Sequence, residues 1–340
     1  TENVCQRLDD CSSTRKRSKT STMVPNAHGT RRLFFSFFGS CISLAKFSII
    51  GFSRRCGFVR GRSIRYHLNR LQRSPGILFD PLGRLRSGWR AAIFLFAFVF
   101  SAIVLGVIGQ LILRVFGVDA APNSAAFMLA NGVTSLIPAL VLGWLFGWLF
   151  ENLPFRAMGA AFTRGWLKHL LLGGFVGAAT LSLAVLIAYI AGGLKFNFDA
   201  AAGDRAIAWS LALSFVVFAA ASAFEEALFR GYILQTFSRS GLAWLAILLT
   251  SLFFGAVHLG NPGVTVFSTF NTILAGLWFS IAYLKTRDLW FVWGMHLMWN
   301  WMQGSFFGIE VSGITSITTS PLLKEIDSGP TWLTGSTYGI

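Results

Sequence analysis

Charge is what this 340-residue sequence has least of. Only 13% of its residues are Asp, Glu, Lys or Arg, against roughly 25% in an ordinary soluble domain. A water-soluble fold of this length could not cover its apolar surface with so few charges, so ordinary soluble enzymes are excluded. Cysteine is scarce too: Cys5, Cys11, Cys41 and Cys56 are the four, all near the start and without metal-ligand spacing. Neither a disulfide framework nor a thiolate metal site supports the remainder. The sequence has no evident internal repeat and no glycine-rich phosphate loop. Apolar residues (54%) and aromatics (15%) fill the space instead. This is the composition of an integral membrane protein.

The net charge of +15 is unevenly spread: fifteen of the 29 basic residues, but only three of the 14 acidic ones, lie in residues 1–75. The excess therefore belongs to that stretch. It is no footprint for nucleic acid on the rest, and no nucleic-acid partner is expected. The sequence starts at Thr1 and its first methionine is Met23. Residues 1–75 are expected to be a disordered basic segment or the product of a mis-set start. Within them, 33–53 is a weak spanning candidate broken by Lys46, with arginines on both flanks.

A membrane-spanning helix needs about 20 predominantly apolar residues. Beyond Arg90 such stretches occur at 91–113, 125–150, 167–192, 207–237, 241–258, 264–284 and 289–306. Arg84, Arg86 and Arg90 before the first place that end in the cytoplasm. Alternate connections are then the basic ones, carrying Arg156, Arg164 and Lys168, then Arg239, then Lys285 and Arg287. The pattern predicts an all-α, polytopic bundle of about seven spans: N-terminal spans in 76–206, a core in 207–306, and a tail at 307–340. The stretch 207–237 exceeds one perpendicular crossing, so it should tilt, kink or divide.

Ionisable groups inside a span cost roughly 2.5–3.5 kcal/mol each, which makes them functional candidates by default. The last four spans hold few: Glu225, Glu226, Arg230, His258 and His296, joined by Asn300. Adjacent helical residues point about 100° apart, so Glu225 and Glu226 cannot serve one point. Glu226 and Arg230, four apart, can pair and leave Glu225 free. His296 and Asn300, also four apart, share a face. Counted from the basic hairpins at 1.5 Å per residue, Glu225, His258, His296 and Asn300 lie about 12 to 27 Å deep, in one broad layer. Two chemistries suit such a set. Glu225 could act as general base on a water shared with His258, while His296 and Asn300 hold the developing oxyanion. Alternatively the four could bind a divalent metal, zinc the first candidate, that acidifies a bound water. The residues alone leave both open.

The order Glu225-Glu226-x-x-x-Arg230, Phe254-x-x-x-His258, His296-x-x-x-Asn300 on successive apolar segments resembles the CAAX prenyl protease and bacteriocin-processing (CPBP or Abi) family of intramembrane endopeptidases. The type II CAAX prenyl endopeptidase is its familiar form. The likeness extends over about 76–340 and is densest over 221–304. The stretch Asp80-Pro81-Leu82-Gly83-Arg84-Leu85-Arg86-Ser87-Gly88-Trp89-Arg90 also looks like bacterial members. The resemblance implies a helical membrane protease, usually of about eight spans, acting on a peptide or protein at the lipid bilayer, in a bacterial inner membrane with a cytoplasmic N-terminus. It makes Glu225 the catalytic base, His258, His296 and Asn300 its catalytic companions, and Glu226 and Arg230 structural support. Metal dependence comes with the family as usage. The tail resembles a family segment that normally continues, so a further span is expected beyond it. Readings from other classes are a non-catalytic scaffold or bacteriocin-immunity protein, and a proton-coupled transporter. The transporter reading lacks the paired broken helices such folds often show.

Overall fold

A computed structural model describes residues 76–340, apart from 82, 119, 120, 123 and 199–202. The basic segment 1–75, with its spanning candidate at 33–53, lies outside the described residues. From residue 76 onward the chain is an integral membrane helical bundle. Its long helices are α1 (Ser87–Val115), α2 (Ala125–Glu151), α3 (Trp166–Ile190) and α4 (Asp204–Glu226). A π-helical turn, Ala227–Ile233, carries α4 into α5 (Leu234–Arg239). After them come α6 (Ala243–Val257), α7 (Val266–Thr286) and α8 (Leu289–Trp301), which a second π segment, Met302–Phe306, prolongs.

Helix boundaries follow local chemistry. The Ser124 hydroxyl accepts from the Phe127 amide at the start of α2. Thr265 and Ser268 form a reciprocal capping box on α7, and the Asp288 carboxylate accepts from the Trp290 amide on α8. Among the described residues five helices are long and apolar enough to cross a membrane, Asp204–Arg239 counted as one. The stretches expected to span at 241–258 and 289–306 are helical but shorter. The first ends at His258, where the chain turns through Gly260-Asn261-Pro262-Gly263. The second leaves α-geometry at Met302. The long 207–237 stretch stays continuous, and the π turn is how it accommodates its length.

Two features fix where α8 stands. Its neighbour α3 carries Gly173 and Gly177 one turn apart, facing the α8 backbone at Phe291 and Met295, while Gly294 on α8 faces Leu170 and Gly174. A Cβ on Gly173 would fall 1.9 Å from the Phe291 carbonyl oxygen, and one on Gly177 2.1 Å from that of Met295. No side chain fits there, so the two backbones pack directly, as small residues allow in membranes. On the other side, the Trp293 and Trp301 indoles donate to the carbonyls of Ala219 and Leu211 on α4. A charged knot ties one end of the bundle: Arg90 of α1 and Arg239 of α5 both pair with Glu151 of α2. Thr236 donates to the same carboxylate.

The other end holds structure that hydropathy does not announce. Strand β1 (Leu194–Phe198) pairs antiparallel with β2 (Leu323–Asp327), Phe196 opposite Glu325. The chain then runs through a short helix, α9 (Thr331–Thr334), to a last turn at Ser336–Tyr338. The tail 307–340 is thus folded against the bundle. Leu333 and Ile340 pack with Leu181, Val185 and Ile309.

Candidate active site

The site begins where α4 gives way to the π turn. Glu225 and Glu226 are consecutive there, so the helix aims them differently. Glu226 is 1% exposed, whereas the Glu225 side chain retains 20%. Arg230 is fully buried, and one of its terminal nitrogens donates to Glu226 Oε1 at 3.0 Å. The other donates to the carbonyl of Gly276 on α7 at 3.0 Å. The guanidinium lies 4.9 Å from the Phe254 ring centre and 5.3 Å from that of Phe279. Aromatic faces attract such a cation. This is the pairing expected from the four-residue spacing.

Glu226 has a second task that spacing did not suggest. Its Oε1 also lies 2.9 Å from Nδ1 of His296. A carboxylate that already accepts from a guanidinium accepts here too, so Nδ1 carries a hydrogen, and in the neutral ring Nε2 presents a lone pair. That lone pair faces Glu225: His296 Nε2 and Glu225 Oε2 are 3.8 Å apart. The His296 ring is 6% exposed and stacks on Phe279, with centres 4.8 Å apart and planes 24° from parallel. Glu225 Oε2 is buried and has no hydrogen-bond partner among the described residues. Two acceptors at 3.8 Å cannot bond each other, but one water can donate to both.

All four proposed residues line one cavity of about 770 Å³. Glu225 comes from α4, His258 from the end of α6, and His296 and Asn300 from α8. The walls are chiefly apolar, with Leu95 and Phe98 of α1, Phe253 of α6 and Leu274 of α7 among them. Nδ1 of His258 lies 2.7 Å from the Phe254 carbonyl and must donate to it, leaving its Nε2 a lone pair as well. In the neutral state both imidazoles therefore accept at their free nitrogens. The only neutral donor among the four is the Asn300 amide. Glu226 holds a hydrogen of His296 on Nδ1.

Other polar residues of the cavity went unremarked in the sequence: Asn261, Asn271 and Gln303. Gln303 lies three residues past Asn300 and seven past His296, a helical spacing that marks one face. Its carbonyl oxygen accepts from the Trp299 indole, and its amide donates to the Glu310 carbonyl. Tyr338, Gly339 and Ile340 line the cavity as well, and the Tyr338 and Thr272 hydroxyls are 3.2 Å apart. No short motif marks those contributions. Outside the cavity, His169 pairs with Asp288.

The residues do not fit a metal ion well. Among the described residues no three His, Cys, Asp or Glu side chains gather closely enough to hold one. Glu225 Oε2 and His296 Nε2 form a pair of donors, and the second oxygen-bearing neighbour of His296, Glu226, is committed to Arg230 and to Nδ1.

Comparison with known proteins adds one finding. No curated protein and no solved structure matches the chain. A family model described as "Type II CAAX prenyl endopeptidase Rce1-like" matches residues 207–302, the segment that supplies Glu225, His258, His296 and Asn300. Over residues 207–302 the chain is therefore similar to the Rce1-like type II CAAX prenyl endopeptidases.

Proposed function

We propose that this chain is an intramembrane endopeptidase in which Glu225 activates a water without a metal. The observation that carries the reading is the unpartnered, buried Glu225 Oε2 facing the Nε2 lone pair of His296 across 3.8 Å, within a large apolar cavity. A water donating to both is oriented, with its own lone pairs free for attack. As its oxygen adds to the scissile carbonyl carbon, Glu225 takes one proton. The carbonyl oxygen becomes an oxyanion, to which the Asn300 amide donates. Glu225 then returns the proton to the leaving nitrogen, the C–N bond breaks, and a carboxylic acid and an amine result. His258 accepts a hydrogen bond from the substrate amide. Glu226 and Arg230 touch neither water nor substrate. They hold His296 in one tautomer.

The walls select substrates with a lipid-like segment beside the cleaved bond, as a prenylated peptide has. The test uses the full chain in detergent and a fluorogenic prenylated peptide, with and without chelator. Wild type should cleave in both conditions, and Glu225→Gln should lose at least about 10³-fold in kcat while staying folded. Cleavage abolished by chelator and restored by zinc would refute the metal-free water. Undiminished cleavage by Glu225→Gln would refute the whole assignment.

A further inference from the structure

The stretch around Asp80–Arg90 plays no part in the chemistry above, yet it builds a second cavity, of about 590 Å³, at the end of the bundle remote from β1 and β2. Three arginines line it, Arg84, Arg86 and Arg90, against one acid, Asp80. Asp80 is bound to Arg84, bonding both its amide and its side chain. Arg86 is exposed, and among the described residues its side chain meets only the carbonyl oxygen of Gly76, 3.1 Å from Nε. Arg90 is 7% exposed, and its Nε is buried without a partner among the described residues. Its terminal nitrogens reach Glu151 and Ser240, but Glu151 is shared with Arg239. One carboxylate thus serves two guanidiniums, and positive charge is left over.

The start of α1 points the same way. Ser87, Gly88 and Trp89 line the cavity, Arg86 makes no side-chain cap, and the first turn has no acidic residue. The free amides of a 29-residue helix therefore add their partial positive charge to that of the arginines. Beside the charges stands an apolar flank. Ile77 is 84% exposed and Phe96, two turns along α1, 77%. Trp89 is half-exposed, its indole donating to the Ile77 carbonyl, in the amphipathic position that tryptophan takes at a membrane surface.

We infer that this cavity binds a phosphate anion, and that the apolar flank marks the source as the headgroup of an anionic phospholipid. Arg86 and Arg84 would grip the phosphate oxygens at the helix start, and the acyl chains would lie along the exposed face of α1. The inference is independent of the protease reading, because its measurement is lipid binding.

The full-length chain, purified in neutral detergent, is titrated with phosphatidylglycerol, with phosphatidylcholine and with soluble glycerol phosphate, and bound lipid is counted by native mass spectrometry. Phosphatidylglycerol should bind in preference to phosphatidylcholine. Each basic residue near an anionic surface contributes about fivefold, so Arg84→Ala/Arg86→Ala together should weaken binding about 30-fold. Arg114→Ala, at the far end of α1, should change nothing and controls for general charge loss. Saturable glycerol phosphate binding that the double variant loses would support the site but assign it to a free phosphate. Equal binding of the two lipids by wild type, or unchanged phosphatidylglycerol binding by the double variant, would overturn the proposal.

Discussion

Glu226→Leu separates positioning from bulk packing at the site. The substitution roughly keeps volume but removes Oε1, the one oxygen that serves both Arg230 and His296. Nothing then holds the hydrogen of His296 on Nδ1. The imidazole is free to carry it on Nε2 instead, which points at Glu225 Oε2 only 3.8 Å away. Nε2–H would pair with that carboxylate, and the bridging water would lose one of its two acceptors. Catalysis should fall by about 10²–10⁴-fold, the range expected when a base or its orientation is lost. Stability should fall as well. Arg230 is fully buried, and a buried charge stripped of its partner costs about 3–5 kcal/mol. The aromatic faces of Phe254 and Phe279 and the Gly276 carbonyl remain, so the lower half of that range is expected. Single-turnover cleavage is scaled to the folded fraction, with tryptophan fluorescence following thermal unfolding in the same micelles. A near wild-type rate per folded molecule would show that the tautomer of His296 does not matter. An undiminished melting temperature would show that Arg230 does not depend on Glu226.

Three further outcomes are expected. Gly177→Val would drive a Cβ to within 2.1 Å of the Met295 carbonyl oxygen, parting α3 from α8. Thermal stability should drop by about 1–3 kcal/mol and cleavage should fall with it, whereas an intact melting curve would mean that the helices do not pack backbone to backbone. Asn300→Ala removes the amide donor from the cavity and should lower kcat by about 10²–10³-fold with little change in KM. A loss confined to KM would make Asn300 a substrate-binding residue instead. Glu325 is pushed up to about 8, first by burial and then by the Glu310 and Asp327 carboxylates. Its protonated form is favoured by the fold, so its contribution is complete below the usual carboxylate value near 4.5 and is lost as pH rises through about 8. Amide exchange, corrected for its intrinsic pH dependence, should show opening of the β1–β2 pair growing easier across that window. Glu325→Gln should flatten the trend, and a trend that persists in this variant would place the titrating group elsewhere.

What the sequence disclosed and what it hid differ in the range of the forces involved. The helices from residue 87 onward are apolar runs bounded by capping residues and basic hairpins, a local signal, and six of the seven expected stretches coincide with them to within a few residues. The exception in kind is 207–237, where the composition shows excess length but not the π turn that absorbs it. The Glu226–Arg230 pair was legible because helical spacing alone brings the two together. The Glu226–His296 bond was not, since it joins residues seventy apart across a helix interface. The strand pair was missed for a similar reason. Leu194–Phe198 and Leu323–Asp327 are five residues each, separated by more than a hundred, and neither alternates cleanly enough to stand out from a connection.

The glycines join these two scales. In sequence, Gly173, Gly177 and Gly294 are no more than small residues in apolar helices. In the fold they let α3 and α8 approach until backbone oxygens occupy the space a side chain would need. That contact settles the rotation of α8, and with it the direction of His296, whose Nδ1 must meet Glu226 for its Nε2 to meet Glu225. Lipid offers no hydrophobic drive to press two helices together, so the placement rests on packing and on the few polar bonds between them. Tight apolar contact far from the reacting atoms is therefore what allows two unpaired acceptors to be held 3.8 Å apart. A bundle looser at Gly177 would let Glu225 and His296 collapse onto one another or drift beyond the reach of one water.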